Sequence, residues 1–277
     1  MSSRCPELRT LSIAVLLAFA ATSAADAADH GRVLRVCADP DNLPYSQQDG
    51  SGFENRIAAI VADELHASLQ YEWQPLRRGF VRKTMDAGRC DVFVGVPAGL
   101  ERVLTTRPYY RSSYVFVWRH GDDAPRSFDD GRIAARRIGV QLVGNDLAAT
   151  PPGHALASAG AVSNVVGYTI SGDGPAARRM VDALAAHDID SALLWGPQAG
   201  YFARRAAVPM DIAIAQAPAA LQGKAPFEFA IAMGVARGNA ALRDELDAAL
   251  QRRRADIDAV LAQYAVPRTD AGQEGTR

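Results

Sequence analysis

Short apolar runs alternate with stretches of helical apolar spacing along most of this chain. Val33 to Cys37 is one such run, closed by the turn Asp39-Pro-Asp-Asn-Leu-Pro44, and it predicts a buried strand. Ile57, Ile60, Val61 and Leu65 then recur at helical spacing, so a helix is expected over 53–65. By the same reading, residues 69–73, 91–96 and 114–118 are strands and 79–87 a helix. A polar break over 119–131 precedes a second series, with strands at 137–142, 164–170 and 191–195 and helices at 152–159 and 175–186. Residues 227–235 alternate as a strand, and 239–264 reads as one long Ala- and Leu-rich helical region suited to packing back on the first unit. Strand-helix alternation of this kind builds doubly wound sheets, so the expected class is α/β in two units.

The first residues follow a different logic. Arg4 and Arg9 give a positive start, 11–20 an apolar stretch and Ala25-Asp26-Ala27 a small-residue cleavage signal, with a site after Ala24 as its competitor. Residues 1–27 are therefore expected to be a signal peptide, with an uncleaved tether as the alternative, and the mature chain to be periplasmic. No later stretch reaches the roughly 18–20 apolar residues that a membrane span needs, so no stable membrane anchor is expected. Charge is balanced, with 30 Lys and Arg against 31 Asp and Glu, which gives no footprint for nucleic acid. The polar segment 269–277 is expected to be a flexible tail.

Cys5 falls in the leader, which leaves Cys37 and Cys90 in the mature chain. An even pair in an oxidising compartment reads as a disulfide, and two buried free thiols are the alternative. Two Cys and five His without paired spacing do not compose a zinc site. Asp39, Asp41 and Asn42 supply oxygen atoms, but a Pro-containing turn uses the same residues for local hydrogen bonds, and no metal is expected there.

Several segments in one order carry a likeness. Gly52-Phe-Glu-Asn-Arg-Ile-Ala58, Arg77-Arg-Gly-Phe-Val-Arg82, Ala87-Gly-Arg-Cys-Asp-Val92, Gly95-Val-Pro97, Thr105-Thr-Arg-Pro-Tyr-Tyr-Arg-Ser-Ser-Tyr114, Thr150-Pro-Pro-Gly-His-Ala-Leu156 and Trp195-Gly-Pro-Gln-Ala-Gly-Tyr-Phe-Ala203 are its parts. Over nearly the whole mature chain the sequence resembles the amino-acid-binding branch of the ABC-transporter solute-binding proteins. More narrowly, it resembles the solute-binding-like accessory proteins associated with periplasmic quinoprotein (PQQ-dependent) alcohol dehydrogenases, the MxaJ/XoxJ group of methylotrophs. The resemblance implies a two-lobed fold of the type II periplasmic-binding-protein kind, with doubly wound sheets, a hinge and an interlobe cleft. Lobe 1 is expected over 28–118 plus 225–268 and lobe 2 over 119–224.

The resemblance also nominates residues. Arg102 lies seven positions after Gly95, where amino-acid binders hold the ligand carboxylate, and a guanidinium fork suits that grip; an ion pair with Glu101 is the other use for it. Trp195 stands where such binders place an Asp against the ligand ammonium, five residues after Asp190, and an indole cannot neutralise a cation. Asn145, after Gly139-Val-Gln-Leu-Val-Gly144, is either part of an anion-binding turn or a simple cap. Tyr45, Tyr109, Tyr110 and Trp195 fall where open α/β sheets place ligands, outside the carboxyl ends of strands, and are cleft candidates. Arg77, Arg78 and Arg82, with Lys83, form a basic cluster that is either a docking patch for an acidic partner or a solvated face.

No Gly-x-Ser-x-Gly, His-Glu-x-x-His or phosphate loop is present. The chain is read as noncatalytic, without a cofactor of its own. A dehydratase-like use of Glu54 or Glu228 as general acid or base is the enzymatic alternative. The resemblance implies an accessory role in a quinoprotein methanol or alcohol dehydrogenase system. The expected partners are that dehydrogenase and its c-type cytochrome, with a small molecule in the cleft as a further ligand. The transport alternative is a receptor for a small polar or carboxylate solute that docks on an ABC permease.

Overall fold

The computed structural model of the protein describes Met1 and residues 31–143, 148–170 and 174–270; the rest of the leader expected over 1–27, Asn145 and residues 271–277 lie outside the described residues. Strand β1 (Val33–Ala38) leads through two short strands, β2 (Asp41–Asn42) and β3 (Ser46–Gln47), into helix α1 (Phe53–Glu64). Then come β4 (Ser68–Trp73), the single-turn α2 (Phe80–Lys83), β5 (Val92–Pro97), β6 (Leu104–Thr105) and the long β7 (Tyr110–Arg119). The second series is β8 (Ile138–Val143), β9 (Ala148–Ala149), α3 (Pro151–Ser158), β10 (Val165–Thr169), α4 (Ala176–Ala185), β11 (Ser191–Trp195), α5 (Gly196–Ala203) and β12 (Met210–Ile214). Strand β13 (Glu228–Val235) and helices α6 (Ala240–Arg252) and α7 (Arg254–Gln263) close the chain.

The fold is α/β and two-lobed. Strands run β10-β8-β11-β7-β13-β5-β1-β4 in one hydrogen-bonded path. Within each lobe the strands joined through helices pair in parallel, β4-β1-β5 in one and β10-β8-β11 in the other, as crossover connections require. β7 and β13 stitch the lobes together. The first residues of β7 pair antiparallel with β13, Tyr110 opposite Ile231 and Ser113 opposite Glu228, whereas Tyr114–Val117 pair with β11. Alternation along β7 then serves two cores at once. Val115 and Val117 face Met180, Leu184 and Leu194 on the α4 side, while Phe116 and Trp118 face Ile138, Val140 and Leu156 on the α3 side. The first lobe's core joins Val36, Val94 and Met233 of the sheet to Phe53, Ile57 and Val61 of α1 and to Leu246, Ile257 and Leu261 of α6 and α7.

Several elements depart from the apolar pattern. The helix expected over 79–87 stops after one turn, because Thr84 leaves helical geometry (φ −113, ψ −84) and its Oγ1 donates to the Phe80 carbonyl at 2.8 Å, a local bond that competes with continued helix. The region 239–264 is two helices divided at Arg253 (φ −99, ψ 20), whose guanidinium is drawn to Asp63 and Asp256. Helix α5 and edge strand β12 carry no strong apolar period and are additions. At the carboxyl end, Ser112 Oγ donates to the Pro267 carbonyl (2.6 Å), Thr269 N to the Arg111 carbonyl (3.2 Å), and Arg268 pairs with Asp258 and Asp270.

Candidate functional site

A cavity of about 590 Å³ opens at the carboxyl ends of β1, β5 and β11. This is where an open α/β sheet exposes the residues that follow its strands, and the size is that of a small-molecule site. Lobe 1 contributes Tyr45, Glu54, Gly95 and Tyr110, lobe 2 contributes Gln141, Trp195 and Gln198, and the linking strands contribute Tyr114 and Phe229.

Glu54 is placed by the start of α1. The carbonyls of Pro44 and Tyr45 accept from the Phe53 and Glu54 amides at 2.8 and 2.9 Å, so the turn after β1 caps the helix. The Asn55 side chain accepts from Gly52 N (3.1 Å) and Gln47 N (2.9 Å), fastening the same turn from the other side. Gly52 is required by proximity, since a Cβ there would lie 2.1 Å from the Tyr45 carbonyl oxygen. The Glu54 carboxyl then rests against β5, where a Cβ on Gly95 would lie 2.0 Å from its Oε1. Among the described residues no hydrogen-bond donor or cation meets this carboxyl, and desolvation by burial pushes its pKa up to about 8. Glu54 keeps some accessible surface, which faces the cavity that it lines.

Aromatic side chains form the walls. Trp195 meets Tyr114 and Phe229 with ring centroids 5.4 Å apart in each case, and Tyr45 meets Phe53 at 5.4 Å. Tyr110 is 1% exposed, yet it lines the cavity and its hydroxyl has no hydrogen-bond partner among the described residues. Burial raises the Tyr45 and Tyr110 hydroxyls well above their ordinary value and pushes Tyr114 up to about 12, so all three are neutral donors near pH 7. On the lobe 2 wall, Gln141 Nε2 donates to Gln198 Oε1 at 3.1 Å.

Of the residues nominated from sequence, Tyr45, Tyr110 and Trp195 come together at the cavity. Tyr109 does not: it lies one layer behind, 2% exposed, its hydroxyl donating to the Val94 carbonyl at 3.0 Å. It precedes β7, and its ring packs edge-on against that of Tyr110, with centroids 5.1 Å apart in the same core. Arg102 is also absent from the cavity wall. Its exposed guanidinium pairs with Asp86, in the segment that follows the shortened α2, and not with Glu101. Asn145 lies outside the described residues. Glu228 pairs with Arg111 at 3.3 Å, both exposed and away from the cavity lining, which leaves Glu54 as the sole candidate acid of the dehydratase alternative. Asp39 is a turn residue, with Oδ1 accepting from Asp41 N (2.9 Å) and Oδ2 from Leu76 N.

Cys37, at the end of β1, and Cys90, just before β5, form a disulfide with Cα atoms 5.4 Å apart. Arg77, Arg78, Arg82 and Lys83 are exposed on the rim formed by α2, and none has an ion-pair partner among the described residues. Tyr114, Gln141, Gln198 and Phe229 were not nominated by sequence reasoning. The cue for Phe229 was the strict alternation of 227–235, which sets Phe229 and Ile231 on one face; both line the cavity. The glutamines carry no comparable cue.

The family model of the bacterial extracellular solute-binding proteins, family 3, matches residues 34–266. Protein MoxJ of Methylorubrum extorquens is 34% identical over 271 residues, covering 90% of this chain and 86% of its own. Protein MoxJ of Paracoccus denitrificans is 30% identical over 271 residues, covering 92% and 94%. The crystal structure of periplasmic binding protein XoxJ from Methylobacterium extorquens AM1 superposes with a TM-score of 0.69 at 38% identity, covering 85% of this chain and 99% of that one.

Proposed function

The chain belongs to the bacterial extracellular solute-binding proteins, family 3, and from that membership we propose that it is a noncatalytic periplasmic accessory protein of a quinoprotein (PQQ-dependent) methanol or alcohol dehydrogenase system. The observation that carries this reading is similarity at 30–38% identity, over most of the chain, to proteins named MoxJ and XoxJ, together with the ordered motifs by which the sequence resembles the dehydrogenase-associated group. In this reading the leader is cleaved on export. In place of the boundaries expected after 118 and 224, the lobes hinge where β7 and β13 change partners, at Ser113–Tyr114 and Phe227–Glu228, and the basic cluster Arg77, Arg78 and Arg82 docks on an acidic surface of the dehydrogenase or its c-type cytochrome.

The cleft supports an accessory role over amino-acid reception. An amino-acid site needs a cation for the carboxylate and an anion for the ammonium. Here Arg102 is held by Asp86 on the surface, and Trp195 occupies the second-lobe position. Leaving one ligand charge buried without a partner costs several kcal/mol, or two or more orders of magnitude in affinity. Family membership keeps transport as the second reading, with an ABC permease as partner. Tagged mature protein incubated with periplasmic and membrane extracts of its own cell tests the choice. Recovery of a quinoprotein dehydrogenase or its cytochrome is expected. Recovery of permease subunits instead, with submicromolar calorimetric binding of a common amino acid, would establish transport.

A further inference from the structure

The chemistry of the cavity narrows what fills it. Among the described residues its lining holds the carboxyl groups of Asp39, Asp41 and Glu54 and no Arg, Lys or His. Asp39 is consumed by the turn it closes, and Asp41 is exposed at the mouth, so Glu54 is the carboxyl inside. A second observation is independent of it. Tyr110 is 1% exposed and lines the cavity, and its hydroxyl makes no hydrogen bond among the described residues, so it is available to a ligand there. Its neighbour Tyr109 donates instead to the Val94 carbonyl. The rings of Trp195 and Phe229, in contact with each other, line the same cavity. An unpaired acid among aromatic faces, with no basic group, is a cation site, whereas a carboxylate ligand would meet repulsion and no guanidinium.

We propose that the cavity binds a small organic cation, an alkylammonium, with Glu54 as its counter-ion, Tyr110 as its second polar contact and the Trp195–Phe229 wall receiving its apolar part. The inference deepens the functional reading and rests only on the cleft being a binding site, not on which protein is the partner.

Proton balance follows from the groups that face Glu54: Tyr45 from the turn before α1, Tyr71 from β4, Tyr109 just before β7 and Tyr110 at its start, with no charged group among them. The empty site therefore holds its carboxyl mostly protonated at pH 7. An entering ammonium stays protonated, since such groups titrate near about 10.4. It forms its ion pair as the carboxyl O–H proton leaves to solvent, one proton per ligand. Affinity thus rises with pH until the empty carboxyl is itself ionised.

Isothermal titration of the mature protein with n-butylammonium chloride, sodium butyrate and n-butanol, at pH 6.5 and 8.5 and in two buffers of different ionisation heat, tests this directly. Saturable butylammonium binding is expected, at least about ten-fold tighter than either control and roughly ten-fold or more tighter at pH 8.5 than at 6.5, with nearly one proton released at the lower pH. Glu54→Gln should lose about ten-fold or more in affinity and all of the pH dependence. Tyr110→Phe should lose several-fold and keep the pH dependence, so the proposal stays testable if one variant fails to fold. Absence of butylammonium binding, equal binding of butyrate or butanol, or unchanged affinity in a folded Glu54→Gln would overturn it. Dehydrogenase association is measured without amine, so either result can fail while the other stands.

Discussion

Glu54 concentrates the chemistry of this molecule because two glycines make room for it. Gly52 lets the turn after β1 cap α1, and Gly95 lets the carboxyl lie on the β5 backbone. The cost is desolvation of an acid whose pKa moves from 4.5 to about 8. The folded state holds this proton more tightly than the unfolded chain, so the contribution to stability is complete below about pH 4.5 and is lost as pH rises through about 8. Glu54→Gln keeps the shape and removes the titration. Its melting temperature should match wild type within about a degree at pH 4.5 and exceed it by several degrees at pH 8.5. A constant difference between the two pH values would contradict this. The sequence displayed Glu54 only as one acid at a helix start; its isolation depends on Gly95, Tyr109 and Tyr110, more than 40 residues further along the chain, which no local spacing records. Trp195 was legible because it ends a strand. Arg102 misled for the complementary reason: a spacing shared with amino-acid binders survives, while Asp86 redirects the side chain.

Among the elements, those with strong periodicity were read correctly and those set by contacts were not. β1, α1, β4 and β11 follow their apolar patterns almost to the residue. α5 starts Gly-Pro and contains a further glycine, a composition that argues against a helix. Gly200 is explained by the C-terminal segment, since a Cβ there would lie 1.8 Å from the Ala265 carbonyl oxygen. Gly→Ala in a helix ordinarily stabilises by about 1 kcal/mol. Gly200→Ala should reverse that sign, costing about 1–3 kcal/mol through overpacking against backbone, and a denaturant midpoint above wild type would show that the segment is not held there. The Cys37–Cys90 bond ties β1 to the entry of β5 across a sequence separation of 53. On loop entropy alone it contributes about 4 kcal/mol. Native mature protein should therefore be two hydrogens lighter than its reduced form, and the double Ser variant should unfold at markedly lower denaturant; two alkylatable thiols in native protein would contradict the assignment.

For the whole molecule, the paired passage of β7 and β13 fixes the two lobes around one cavity, while the rim beside it carries Arg77, Arg78 and Arg82 without intramolecular partners among the described residues. Alternating strand and helix patterns identified the α/β class, and the ordered motifs identified the family. Neither could show that β7 pairs with β13 at one end and with β11 at the other, because this follows from the strands it meets and not from its own composition. Unpaired surface cations steer encounter with an acidic partner and lose effect as salt screens them. The most direct test of the accessory role is a titration of the purified mature protein against its cell's purified quinoprotein dehydrogenase, followed by interferometry at low and at physiological salt, beside the variant Arg77→Glu, Arg78→Glu, Arg82→Glu. Saturable association at low salt, weakened by added salt and weakened further in the triple variant, is the result that this account requires. No association at low salt would contradict it.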